Sequence, residues 1–251
     1  MNVDLRLVDN PLGRIMKPIS LTQRFSFACN STVSCFNQCC RDLNQFLTPY
    51  DVFRLKRRVG LTSSQFLESY TVRHQGPQTG FPVVTFKLNP ADSMRCPFVH
   101  ADGCGVYEDR PSSCRTYPLV RLASRSRETG KISESYFLIQ EEHCQGFDEM
   151  QDQTVEEWIE NQGIDVYNRM NDLLLELISL KNRLLPDPFD GDTTQLIHAA
   201  LYDLDRFRSR IASGELSVSK GNIDELDDVG LLKLSIRWVG DLMSELSNQH
   251  L

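Results

Sequence analysis

The chain has 251 residues, 40% of them hydrophobic, and a formal net charge of −7. That length can bury a full core as one large domain or two small ones. No apolar run approaches the roughly 20 residues a membrane span needs, and the first residues, MNVDLRLVDNPLGRIMKPIS, scatter charges where a secretory leader needs an apolar stretch.

A cytosolic protein with no membrane association is therefore expected. The charge is uneven: residues 24–131 carry 15 Lys+Arg against 8 Asp+Glu, and residues 132–251 carry 9 against 24. So acidic a tail argues against nucleic-acid binding, which needs a net basic surface to neutralise phosphates.

In chain order, Thr48-Pro49-Tyr50-Asp51 supplies an N-cap, a proline at N1 and an acid at N3, and Gly60 stops the helix that follows. Thr62 and Gln65 form a capping box for a short helix through SQFLESY. GFPVVTFKL (80–88) and SYFLIQ (135–140) read as strands able to pair with each other. From Thr154, another capping box with Glu157, the texture becomes helical. Trp158, Ile159, Tyr167, Met170, Leu174, Leu177 and Ile178 form one apolar face, on a helix predicted to end before Pro186. A second helix is expected from Asp192 to Gly214, with Ile197, Leu201, Leu204, Phe207 and Ile211 inward, and a third from Asp228 to Ser247. PDPFDGD (186–192) reads as a loop between helices.

All eight cysteines lie between 29 and 144: Cys29, Cys35, Cys39, Cys40, Cys96, Cys104, Cys114 and Cys144. Cysteine used only as a small hydrophobe would be scattered over the helical stripes as well. In a reducing compartment, clustered thiols are more often metal ligands or redox groups than disulfides. Neighbouring Cα atoms are about 3.8 Å apart, too close for an easy Cys39–Cys40 bridge. On a helix or a strand the two side chains would diverge, which suits two centres, or one edge of a polynuclear cluster, better than one tetrahedral ion. Cys96, Cys104 and Cys114 sit among tight-turn residues, with Gly103 and Gly105 flanking Cys104. Arg110 and Arg115 are candidates to hydrogen-bond thiolates or inorganic sulfide; the alternative is ion pairing with Glu108 and Asp109. His100 and His143 could substitute as ligands. The spacing matches neither the short C-x-x-C knuckles of zinc fingers nor the C-x-x-C-x-x-C run of bacterial ferredoxins. It says metal without choosing between iron and zinc.

Three segments together, FACNSTVSCFNQCC, CPFVHADGCGVYEDRPSSCRTYP and EEHCQGF, resemble the bacterial YkgJ-type cysteine-cluster proteins, a family of zinc- or iron-chelating domains. The pattern G-C-x-x-Y-x-x-R-P-x-x-C-R-x-Y-P is matched residue by residue from Gly103 to Pro118, while the first segment departs in its spacing, with five residues between Cys29 and Cys35 and three between Cys35 and Cys39. The resemblance covers about residues 25–147. It implies metal chelation by the eight cysteines, with an iron–sulfur cluster preferred over zinc. The flagellin lysine methylases are similar in their cysteine cluster, which opens an enzymatic reading, an iron–sulfur-dependent methyltransferase. No glycine-rich strand-to-helix loop of the Rossmann type accompanies it. A structural zinc module for protein interaction is the third reading.

The architecture expected is α+β: a loop-rich cysteine-cluster metal-binding domain with a small sheet (24–150), packed against a helical C-terminal region (151–251). The acidic helical tail is the surface expected to meet a protein partner.

Overall fold

The computed structural model describes residues 15–41, 45–76, 79–218 and 223–249. The fold is α+β, with small antiparallel sheets in the first part and helices in the second. Strands β1 (Ile15–Ile19) and β2 (Arg24–Ser26) lead into the first cysteine segment. Then come β3 (Phe46–Leu47), α1 (Pro49–Val59), α2 (Ser63–Tyr70), β4 (Thr71–Gln75) and β5 (Pro82–Phe86). The second cysteine segment holds β6 (Val99–His100), β7 (Gly103–Cys104) and α3 (Ser112–Thr116), followed by the long hairpin β8 (Leu119–Arg125) and β9 (Ile132–Gln140). After β10 (Asp152–Thr154) the chain is helical: α4 (Val155–Asn161), α5 (Ile164–Leu184), α6 (Gly191–Tyr202), α7 (Leu204–Ala212) and α8 (Asp228–Gln249).

The capping residues act as their chemistry dictates. Thr48 and Asp51 close a reciprocal box on α1, as do Thr62 and Gln65 on α2 and Thr154 and Glu157 on α4. Strand pairing differs from the sequence expectation. The 80–88 strand becomes β5, centred between β3 and β4, whereas the 135–140 strand lies in β9, between β1 and β8. β5 and β9 each lie at the centre of a separate three-stranded sheet, so both edges of each are already paired and neither is left for the other.

Two expected helices are broken. The stripe from Trp158 to Ile178 is divided at Gly163, which takes a left-handed conformation (φ 59°) that glycine adopts freely. Asp203 (φ −102°, ψ 66°) separates α6 from α7 and caps α7 by accepting from Arg206 N. α8 runs as expected, two residues longer.

The break at Gly163 distributes the apolar face between two cores. Trp158, Ile159 and Ile164 pack with Phe25, Phe27, Leu119 and Tyr136, where Phe27 meets Tyr117, Phe147 and Trp158 edge-on. Tyr167, Met170 and Leu177 join the larger core with α1, α2, the β3-β5-β4 sheet and α6 to α8. This larger core draws buried residues from both sides of position 150, from Leu47 to Val106 and from Tyr167 to Met243. Cys96 and Cys104 pack against the larger core and Cys144 against the smaller one. These three cysteines therefore border the two cores from either side.

Candidate metal centre

Backbone bonds gather the cysteine segments. Ala28 N donates to Gly146 O at 3.0 Å, drawing Cys29 toward Cys144. Cys96 N donates to Cys40 O at 2.9 Å, and Asn37 Nδ2 donates to His100 O at 3.1 Å. Gln145 N donates to Cys35 Sγ at 3.2 Å, and Ser34 and Gln145 are joined through their side chains. Cys39 and Cys40 occupy one short 3-10 turn, Gln38–Cys40. Val99 and Cys104 face each other across β6 and β7.

All eight thiols are free; Cys29 and Cys39 are exposed and the other six half-buried. Their mutual influence maps the cluster. The side chain of Cys40, then partial burial, pushes Cys39 well above the ordinary thiol range. Partial burial and the neighbouring Cys39, Cys144 and Cys35 raise Cys29 to about 11. Burial, with Cys104 and Cys39 nearby, raises Cys96 to about 11. Burial pushes Cys114 up to about 12, again with Cys96, Cys104 and Cys39 as neighbours. Cys104 and Cys144 are raised mainly by burial. Cys39 thus lies within electrostatic reach of both cysteine groups, and its side chain adjoins that of Cys40.

Among the described residues, no three His, Cys, Asp or Glu side chains close into a group that could hold a metal ion. The thiols converge as neighbours. Two observations fit a metal group here. The donor set is eight free thiols, of which Cys29, Cys39, Cys96, Cys104, Cys114 and Cys144 are held toward the neutral form by burial and by one another. The Tyr117 hydroxyl is buried beside Cys144, and burial together with its interaction with that thiol raises its pKa strongly, so the site also holds a polar group facing sulfur.

The two arginines are positioned by the helix break. Arg110 is buried, stacks over the Tyr107 ring at 3.8 Å and donates to Tyr107 O at 2.7 Å and to Gln162 Oε1. Burial, and then Arg115, lowers its pKa; Cys114 and Cys104 act in the opposite sense. Arg115, also buried, donates to Gln162 O and, at 2.6 Å, to Glu108 O, and lies 4.8 Å from the Tyr167 ring centroid. The hydrogen bonds of both go to oxygen. Neither pairs with the carboxylates of Glu108 or Asp109; Arg54 holds Asp109 at 2.6 Å. His100 contributes its carbonyl to Asn37, and His143 Nε2 lies 3.8 Å from Glu141.

Several positioning residues carried no functional signal in the sequence. Gln162 receives both arginines because the break at Gly163 frees its carbonyl and turns its side chain inward. Asp51, fully buried, serves α1 and also accepts from Ser112 N (2.8 Å) and Ser112 Oγ (3.1 Å), fixing the helix that carries Cys114 and Arg115. Burial raises its pKa despite those bonds. Gln45 accepts from Cys114 Sγ at 3.1 Å. A cleft of about 1000 Å³ reaches from Cys39 past Tyr117 and Glu141 to Arg121, Asn171 and Asp172.

Residues 28–151 match the model of the family CxxCxxCC, described as "Putative zinc- or iron-chelating domain". The match covers just under half of the chain. The matched span contains every cysteine, so the CxxCxxCC domain and the gathered thiols coincide. No curated protein and no solved structure matches the chain. Among the described residues, no helix is long and apolar enough to cross a membrane.

Proposed function

We propose that the eight cysteines of the CxxCxxCC domain hold an iron–sulfur cluster in a cytosolic protein. The observation that carries this reading is the place of Cys39, adjoined by Cys40 and within reach of Cys29, Cys144, Cys96 and Cys114. A shared central thiol suits a polynuclear group better than two separate tetrahedral zinc ions. A bound cluster supplies one-electron chemistry. The chain supplies thiolates from both cysteine segments, backbone N–H groups such as that of Gln145, and the buried Arg110 guanidinium, which offsets thiolate charge at Cys104 and Cys114.

Anaerobic purification should give brown protein with iron and acid-labile sulfide, and Cys39→Ser/Cys40→Ser should lose both. Colourless protein with stoichiometric zinc, or full metal content in the double variant, overturns the reading.

The cleft that opens beside Cys39 favours a second reading, an iron–sulfur-dependent enzyme such as a methyltransferase. Its hydroxyl, amide and carboxylate lining offers a place for a substrate next to the cluster. Titration of anaerobic protein with S-adenosylmethionine tests it; no heat of binding to cluster-loaded protein counts against it.

A further inference from the structure

Between α5 and α8 lies a groove of about 850 Å³ whose lining includes no cysteine. Its floor is apolar, formed by Val166, Leu173 and Leu180 from α5 and Val229 and Ile236 from α8. Its edges are basic: Arg169 and Arg183 on α5, Lys233 and Arg237 on α8, and Arg125 at the end of β8. Four of these are among only nine Lys and Arg in residues 132–251, which hold 24 acids. Among the described residues none of the five forms an ion pair, and Arg125 Nε has no hydrogen-bond partner. Of the two acids on the rim, Asp172 is engaged by Arg121 at 2.8 Å, which leaves Glu176. An acidic half that places four of its nine cations, none of them ion-paired, around one apolar groove does so against its own composition.

We infer that this groove is a docking site for an acidic amphipathic helix of a partner protein. The cations run along both edges, Arg169 and Arg183 two heptads apart and Lys233 and Arg237 one turn apart. That distribution matches charge spread along a rod, whereas an anionic amphiphile presents charge at one end. From Val166 to Arg183 the floor extends roughly 25 Å, the length of a helix of about 17 residues. Concavity between two helices suits a third helix rather than a flat bilayer. The net charge of this half alone would favour a basic partner, so the groove selects the opposite sign, and the inference is independent of any metal at the cysteines.

The test uses the full chain and a fluorescein-labelled synthetic helix of about 18 residues with leucines along one stripe and glutamates elsewhere, beside the same peptide with lysines. The glutamate peptide should bind saturably, at least about tenfold tighter than the lysine peptide, and more weakly as salt is raised. Arg169→Glu/Lys233→Glu should weaken it by at least about tenfold with melting temperature and metal content unchanged. Gly240→Leu offers a second variant without charge change: a Cβ there meets Leu180 and Leu177 at 3.6 and 3.7 Å, so a larger side chain projects onto the floor and should also block the peptide. Equal binding of both peptides, or binding indifferent to both variants, overturns the proposal. So does a preference for dodecanoate or anionic phospholipid vesicles over the peptide. Self-association of the free chain abolished by the charge reversal, with no peptide binding, would assign the groove to a second copy instead.

Discussion

Replacing Arg115 with methionine removes a buried cation and keeps most of its volume. In the structure that guanidinium makes two charge-assisted bonds, to Gln162 O and Glu108 O, and faces the Tyr167 ring. Bonds of this kind contribute about 1.5–3 kcal/mol each, and each carbonyl left buried without a donor costs about 1–3 kcal/mol. Against this stands the several kcal/mol recovered by no longer burying a charge. The balance is a destabilisation of about 2–4 kcal/mol, which for a chain of this length lowers the melting temperature by about 5–15 °C. Arg115→Lys keeps the charge but cannot span both carbonyls, so it should recover less than half the loss. Urea unfolding followed by far-UV circular dichroism measures the difference directly. A shift for Arg115→Met below about 0.5 kcal/mol, the range of an ordinary surface substitution, would refute the claim that this side chain ties the cysteine segment to the helix break.

Gly146→Ala should lower metal content, read by elemental analysis, because its Cβ would sit 2.5 Å from Ala28 O and 2.7 Å from the Phe27 ring, forcing apart the two segments that bring Cys29 to Cys144. His198 is held neutral by burial and by Arg73, its pKa lowered to about 4, with Asp203 acting in the opposite sense. A depressed histidine binds its proton first in the unfolded chain, so stability is lost as pH falls from about 6.5 towards 4, by at most about 2 kcal/mol at pH 5. His198→Phe, which keeps the stacking on Tyr202, should flatten the difference in urea midpoint between pH 7 and pH 5. Asp205 accepts from Lys56 Nζ (3.1 Å), Ser63 N (2.6 Å) and Ser63 Oγ (2.7 Å), and Lys56 is buried. Asp205→Asn should cost about 2–3 kcal/mol in urea unfolding, since Lys56 keeps only Asp228 at 3.5 Å.

Local chemistry was legible where it is self-contained. The boxes at Thr48, Thr62 and Thr154 each depend on residues three apart, and all three close as their sequences dictate. Confinement of every cysteine to one half of the chain likewise needed no structure to be noticed. What stayed hidden depends on distant partners. The 3.6-residue period runs smoothly through Gln162 and Gly163, so the stripe reads as one helix, and only the need to serve two separate cores breaks it there. Strand partners were misjudged for the same reason, because β-branched composition marks a strand without saying which neighbour satisfies its hydrogen bonds.

The break at Gly163 also explains how a cysteine segment rich in irregular loops is held to a helical tail. A continuous helix would keep the Gln162 carbonyl in its own ladder, and Arg115 would bury its charge with one acceptor fewer. Opening the ladder costs a turn of helix and provides a backbone acceptor, while the Gln162 side chain takes Arg110. Arg110 lies between Cys104 and Cys114 and Arg115 directly follows Cys114, and Asp51 pins the start of α3 from the opposite side. The segment bearing three of the eight cysteines is therefore clamped between α1 and the α4–α5 break by hydrogen bonds that involve no sulfur. Its thiols take no part in that clamp, and tail and cysteine cluster are mechanically one unit there.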